Sequence, residues 1–357
     1  MFFASDNASG AAPEIVEAVL RANDGHVPSY GADASTARVT ARVREVFEAP
    51  EAAVHLVATG TAANALALAC LCPPWATVYC HADAHVNVDE CAAPEFYTGG
   101  AKLTGLGGDH GRIDPGGFER ALGLTEESGV HGVQRGALTL TNATEAGTVY
   151  DPDAVRRLAA AAKARGVPVH MDGARFANAL VHLGCTPAEL TWRAGVDVLS
   201  LGGTKNGCLG VEAVVLFAPE RSWELELRRK RGGHLFSKHR FLSAQMEAYL
   251  ADGLWLDLAA RANARAAELA RGIAALPGAE LVHPVEANAV FAALPRAVHR
   301  AALAAGARYH LWPAGQSLEG PGDEALSARL VCSWTTTAAE VAALVAAFAT
   351  AGAGVWA

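Results

Sequence analysis

Lysine is scarce in this chain of 357 residues: five positions (Lys102, Lys163, Lys205, Lys230 and Lys238) stand against 24 arginines. Such a bias is partly a habit of genomic composition. Arginine cannot form a stable imine, however, so each lysine that remains is a candidate for amine chemistry. Positive charge is lacking as well, the formal net charge being −8. That argues against a nucleic-acid partner, because affinity for a phosphate backbone rests on Lys and Arg. The one basic run, Arg228-Arg229-Lys230-Arg231, is short and reads either as a solvated helix face or as an anion-binding element.

The seven cysteines form no CxxC pair and no disulfide-framework spacing. Their odd number and apolar surroundings fit buried, reduced thiols in a cytoplasmic protein. The opening MFFASDN has neither a charged leader nor a long apolar stretch, so no secretory signal is expected. The uncharged run from Val341 to Ala357 reads as a packed C-terminal helix rather than a membrane span. No Gly-Lys-Ser/Thr follows a glycine loop, and no GxGxxG occurs, which excludes a P-loop and the usual dinucleotide fingerprint. No internal repeat or low-complexity tract is visible.

What is present is an alternation of short apolar strands and helical stretches, the pattern of an α/β fold with a mostly parallel sheet. The length calls for a large domain, residues 1–250, and a smaller C-terminal αβ domain, residues 251–357. Asp151-Pro152 opens a helix running through Val155–Ala164 and stopping at Gly166. Strands are expected at Val54–Ala58, Val167–Met171 and Val196–Leu201. In the smaller domain, a helix over Trp255–Ala275 leads to strands near Ala289–Ala293, Tyr309–Trp312 and Leu330–Trp334. The three early strands run into Thr59-Gly60-Thr61, Asp172 and Lys205, and ligands of open α/β sheets bind beyond the carboxyl ends of strands.

Each of these features has a plain structural reading beside the chemical one. Lys205 follows an apolar strand and two glycines, where burial would favour the neutral amine; it reads equally as a surface lysine on a glycine turn. Asp172 is costly to bury without a partner. The protonated nitrogen of a pyridine cofactor would supply one, and so would a structural pair with Arg175. Thr59-Gly60-Thr61 opens a helix and offers backbone N–H groups to one phosphate, as many strand–helix turns do. His81-Ala82-Asp83-Ala84-His85 invites a metal reading, but a flat His85 ring can equally stack on a pyridine, and no metal is expected. The three features in this order say more than any one of them.

Together these segments resemble the threonine aldolase family, in the β-eliminating lyase group of fold-type I enzymes dependent on pyridoxal 5′-phosphate (PLP). The resemblance runs from Ser5-Asp6-Asn7 through Tyr30-Gly31-x-Asp33, Thr59–Asn64 and His85 with Glu90. It continues through Thr141-Asn142, His170–Arg175, Gly203–Asn206 and Arg329-Leu330-Val331. It implies that Lys205 is the Schiff-base lysine, that Asp172 partners the pyridine nitrogen, and that Thr59, Gly60 and Thr61 hold the phosphate. His85 would stack on the ring, and Ser5, Arg175 and Arg329 would bind the substrate carboxylate or order the site around it. Arg329 is expected to begin the strand Leu330–Trp334. His131, eleven residues before Asn142, matches a second active-site histidine of some members, and Lys230 and Arg231 match a run that reaches a neighbouring subunit's phosphate. A homo-oligomer, dimer or tetramer, with shared active sites follows.

The implied reaction is aldol cleavage of a β-hydroxy-α-amino acid of threonine, allo-threonine or phenylserine type to glycine and an aldehyde. His85 or His131 would take the β-hydroxyl proton. The sequence departs from the family after Arg329, where Cys332-Ser333-Trp334 replaces a histidine-containing strand, and at His234–Arg240. The rival enzymatic readings are β-elimination and transamination. A PLP-binding regulatory module would need a basic DNA-binding appendage, and none is present. A degenerate scaffold would be expected to have lost Lys205 or Asp172.

Overall fold

The computed structural model describes residues 1–352. Seven strands form the larger sheet: β1 (Ala53–Val57), β2 (Ala76–His81), β3 (Lys102–Leu106), β4 (Gln134–Thr141), β5 (Val169–Gly173), β6 (Val198–Gly202) and β7 (Glu212–Leu216). Their order is β1-β7-β6-β5-β4-β2-β3. From β6 to β3 all neighbours are parallel. Strand β7 runs antiparallel to both β6 and β1, which turns β1 to point the same way as β6. The carboxyl ends of β1, β4, β5 and β6 therefore share one edge. β5, β6 and β7 are buried at every residue, as a sheet covered on both faces requires.

Local signals set the crossovers. Asp151 Oδ1 accepts the Ala154 N–H at 2.7 Å and Pro152 occupies the first turn, so the helix starts there and runs Pro152–Lys163. It ends before Gly166, whose φ of +69° is the left-handed exit that glycine tolerates.

A second sheet, all antiparallel, has the order β10-β11-β9-β8, from β8 (Glu280–Leu281), β9 (Ala289–Pro295), β10 (His310–Leu311) and β11 (Ala325–Val331). The helix Leu254–Ala274 joins the two halves. Trp255, Leu258 and Ala259 pack in the large core, and Ala266, Leu269 and Ile273 in the small one. The chain start also joins the small core: Phe2 bridges Arg308 and Phe3 is fully buried there. Residues 5–8 then cross to the large sheet.

Two strand readings are corrected. The stretch Tyr309–Trp312 shortens to two paired residues: the Trp312 N–H still donates to the Ser327 carbonyl at 2.9 Å, but the Ser327 N–H goes to Gln316 Oε1 at 2.9 Å and the ladder closes no further. Arg329 does not begin a strand; it is the fifth residue of β11, opposite Phe291 and His310. The strand stops at Val331 because hydroxyls beyond it capture the backbone: the Ser333 N–H donates to Thr336 Oγ1 at 2.9 Å. The C-terminal helix covers Ala338–Gly352, and the remaining five residues of that run lie outside the described residues. No helix among the described residues is long and apolar enough to cross a membrane.

Candidate active site

A cavity of about 290 Å³ opens at the shared strand edge. Thr59, Gly60, Thr61, His85, Asp172, Arg175 and Lys205 all line it, with Asn7, Asn64, Glu90, Glu145 and Glu212.

The helix Gly60–Leu71 points its amino end at this cavity. Thr59 Oγ1 accepts the Ala62 N–H at 3.2 Å, which leaves the first N–H groups, those of Gly60 and Thr61, without intrahelical partners at the cavity wall. A Cβ on Gly60 would meet no protein atom within 4 Å. Packing within the chain does not demand that glycine, and its open side is room for a ligand.

Asp172 lies on β5 and is 3% exposed. One oxygen accepts the Ala174 N–H at 3.0 Å, and the other accepts an N–H from the side-chain amide of Asn64 at 2.9 Å. Lys205 sits just past β6, on the turn Thr204–Asn206. Burial, and then repulsion by Arg175, lower its ammonium below the ordinary lysine value, so the neutral amine is easier to reach.

Arg175 is not a free anchor. Its Nε and Nη2 donate to Asp6 at 2.7 and 2.9 Å. Burial opposes ionisation of Asp6, but the guanidinium overcomes it and holds that carboxyl below its usual range. Asn288 adds a third donor to Asp6 at 3.0 Å. Ser5 caps the turn Asp6–Ala8 by accepting the Asn7 N–H, and it is Asn7 of this turn that lines the cavity.

His85 is held at two points. Its backbone N–H donates to Glu145 Oε1 at 2.7 Å, and its Nδ1 meets Glu90 Oε1 at 2.8 Å. The hydrogen bond that Glu90 accepts raises His85 above the ordinary imidazole value against an opposing effect of burial. Glu145 and Glu212 are themselves pushed up to about 7 by burial. Glu212 receives the Gly203 N–H at 2.9 Å, two residues before Lys205.

The fit to pyridoxal phosphate can be tested on these atoms. A phosphate suits the helix end, a carbonyl carbon suits the buried amine, and a pyridine nitrogen suits the buried carboxylate. The residues fit the group.

Other expected residues lie elsewhere. Arg329 stacks over Trp312 at 4.8 Å, its Nε is buried without a partner, and it feels the charges of Arg175 and Asp6. It does not line the cavity, and no hydrogen bond or ion pair commits it to a carboxylate among the described residues. His131 is not brought to the cavity by its own chain. It is exposed on the turn Gly129–His131, before β4, and the cavity meets the far end of that strand at Thr141, about 20 Å along it. Lys230 and Arg231 are exposed at the end of the helix Ser222–Arg231, with Lys230 over the Tyr30 ring at 4.8 Å. His81 Nε2 meets the Gly108 carbonyl at 3.1 Å.

The sequence assigns no role to Asp6, Asn64, Glu145 and Glu212, which the fold brings to the site. Two of them carried a signal: Asn64 is a polar residue inside an Ala/Leu helix, and Glu212 heads the apolar strand β7. Each is costly to bury without a purpose.

Comparison with known proteins agrees with this geometry. The chain is 43% identical over 344 residues to a low specificity L-threonine aldolase of Pseudomonas sp., covering 96% of both. It is 44% identical over 334 residues to one of Pseudomonas aeruginosa, covering 94% of this chain and 93% of that protein. The structure superposes on a Leishmania major threonine aldolase with a TM-score of 0.89 at 27% identity, over 97% and 98% of the two chains. A Sphingomonas wittichii serine palmitoyltransferase shares the fold, with a TM-score of 0.71 at 16% identity, over 99% of this chain and 88% of that one. Residues 3–296 match the sequence model of the β-eliminating lyases, and the chain belongs to that family.

Proposed function

We propose that the protein is a PLP-dependent carbon–carbon lyase that cleaves a β-hydroxy-α-amino acid of threonine type to glycine and an aldehyde. The observation that carries this reading is the meeting of Lys205, Asp172 and an open helix amino end around one cavity, in a chain 43% identical to an L-threonine aldolase. Lys205 is the covalent anchor, Asp172 faces the pyridine nitrogen, and Thr59, Gly60 and Thr61 take the phosphate. PLP supplies the electron sink for the pair released when the Cα–Cβ bond breaks.

The other groups bind, orient and move protons. Arg329, with its unpartnered Nε, takes the α-carboxylate, while Arg175, fixed by Asp6, braces the site. With its Nδ1 proton directed to Glu90, His85 keeps a lone pair on Nε2 and can accept the β-hydroxyl proton. His85 is preferred to His131 as base because it lines the cavity. The exposure of Lys230 and Arg231 suits contact with a neighbouring subunit, in a cytoplasmic homo-oligomer with shared sites.

The test is incubation with threonine, allo-threonine and phenylserine, with glycine and aldehyde both measured. Equimolar release is expected. A keto acid with ammonia would indicate β-elimination, and conversion of PLP to its amine form would indicate transamination.

Two further outcomes follow. Arg329→Lys keeps the charge but loses the planar fork, so KM for the amino acid should rise by about tenfold, the loss of about 1.4 kcal/mol, with PLP content unchanged. Neutral His85 is the working form, so turnover should rise with pH through its midpoint. Because Glu90 holds that midpoint above the ordinary imidazole value, Glu90→Gln should move the acid limb of the kcat profile to lower pH, and His85→Asn should remove it.

A further inference from the structure

The helix Gly60–Leu71 has ten buried residues, of which Asn64 alone carries a hydrogen-bonding amide. The Asn64 side chain, 2% exposed, donates from its one nitrogen to two acids: Glu90 Oε1 at 2.9 Å and Asp172 Oδ2 at 2.9 Å. Glu90 Oε1 is also the oxygen that meets His85 Nδ1. An unbroken chain of contacts thus runs from His85 through Glu90 and Asn64 to Asp172.

Two oxygens bound to one nitrogen lie within about 6 Å of each other, where buried like charges repel strongly. Both amide hydrogens are needed to hold them there. Turned over, the amide would present its oxygen to both acids, so only one orientation serves. Burial, and less strongly the charge of Asp172, raise Glu90 above its ordinary value, while the hydrogen bonds with His85 and Asn64 work in the opposite direction. The other charged groups facing the chain are Asp89 and Glu145 beside His85, and Glu212, Arg175 and Lys205 around Asp172.

We propose that Asn64 is a positioning residue that ties the protonation of His85 to the charge on Asp172, holding the base in the cavity and the acid at its floor in one hydrogen-bonded chain. This rests on the roles given to both residues under Proposed function. The charge opposite the pyridine nitrogen is then felt at the base.

The test uses the PLP-loaded, full-length chain with nitrogen-labelled histidine, following the His85 ring through a pH titration by NMR. Asp172 raises His85, so Asp172→Asn should lower the His85 midpoint. In an Asn64→Leu background the same substitution should move it by less than half as much. Asn64→Leu should also weaken PLP binding by about tenfold, the equivalent of about 1.4 kcal/mol, because Asp172 loses the donor that holds it. If Asn64→Leu does not fold, Asn64→Ser, which keeps one hydrogen to donate, carries the same comparison. Equal His85 shifts in the two backgrounds, whatever the PLP affinity, would overturn the coupling alone. Wild-type protein that takes up no PLP would overturn the functional reading and the proposal with it.

Discussion

Lys205→Arg should fold, retain PLP only by non-covalent contacts, and lose glycine production by at least about three orders of magnitude, the scale on which removal of a covalent catalytic group acts. The substitution keeps a cation at the end of β6 but removes the one amine in the cavity. Lys205 stands where burial and the Arg175 charge both favour the neutral form. Its turn is fixed from below by the Gly203 N–H on Glu212 and by the Val211 N–H on Thr204 Oγ1. Wild-type protein with PLP should show a visible band that borohydride abolishes, leaving the cofactor's mass on the peptide containing Lys205. In Lys205→Arg neither the band nor the tagged peptide should appear. A tag on Lys102, Lys163, Lys230 or Lys238 would overturn the assignment.

The sequence was most readable where local chemistry and chain order coincide. Asp151-Pro152 and Gly166 bracket a helix by capping and by a positive φ, and both act within a few residues. The apolar runs ending at Asp172 and near Lys205 are buried strands of a parallel sheet, and such strands direct their ends to one edge by topology alone. Strand boundaries in the smaller sheet were less readable. There the ladder is ended by the Gln316 side chain and by the Thr336 hydroxyl, which compete with pairing only once the chain is in place. Least readable were partners distant in sequence. Asp6 reaches Arg175 across 169 positions, and Asn288 reaches Asp6 across 282. Asn64 bridges two acids that lie 26 and 108 residues away. Its oddity in an apolar helix is visible in the sequence, but its partners are not. His131 shows the opposite case: eleven residues from Asn142 in sequence, it lies at the other end of β4.

Asp172→Asn should separate chemistry from architecture. The asparagine has nearly the same shape, and its carbonyl can still accept from the Asn64 amide or the Ala174 N–H, so the strand and its turn should persist. Asp172 stands near three other buried acids, Glu90, Glu145 and Glu212, each of which it pushes upward. Removing its charge relieves that repulsion, so cofactor-free protein should melt at the same temperature as wild type or higher. Catalysis should move the other way. An amide cannot hold a proton on the pyridine nitrogen as a carboxylate does, and the electron sink is weakened at the moment the Cα–Cβ bond breaks. Loss of one electrostatic contact of that kind costs about 3–4 kcal/mol, or roughly 10²–10³ in kcat. PLP content, measured after denaturation, should remain close to stoichiometric because the phosphate turn and Lys205 are untouched. The decisive combination is an unchanged or raised melting temperature, retained PLP and a kcat lower by two orders of magnitude or more. Near-normal turnover with a lowered melting temperature would make Asp172 a cap for the turn at Ala174 and nothing further.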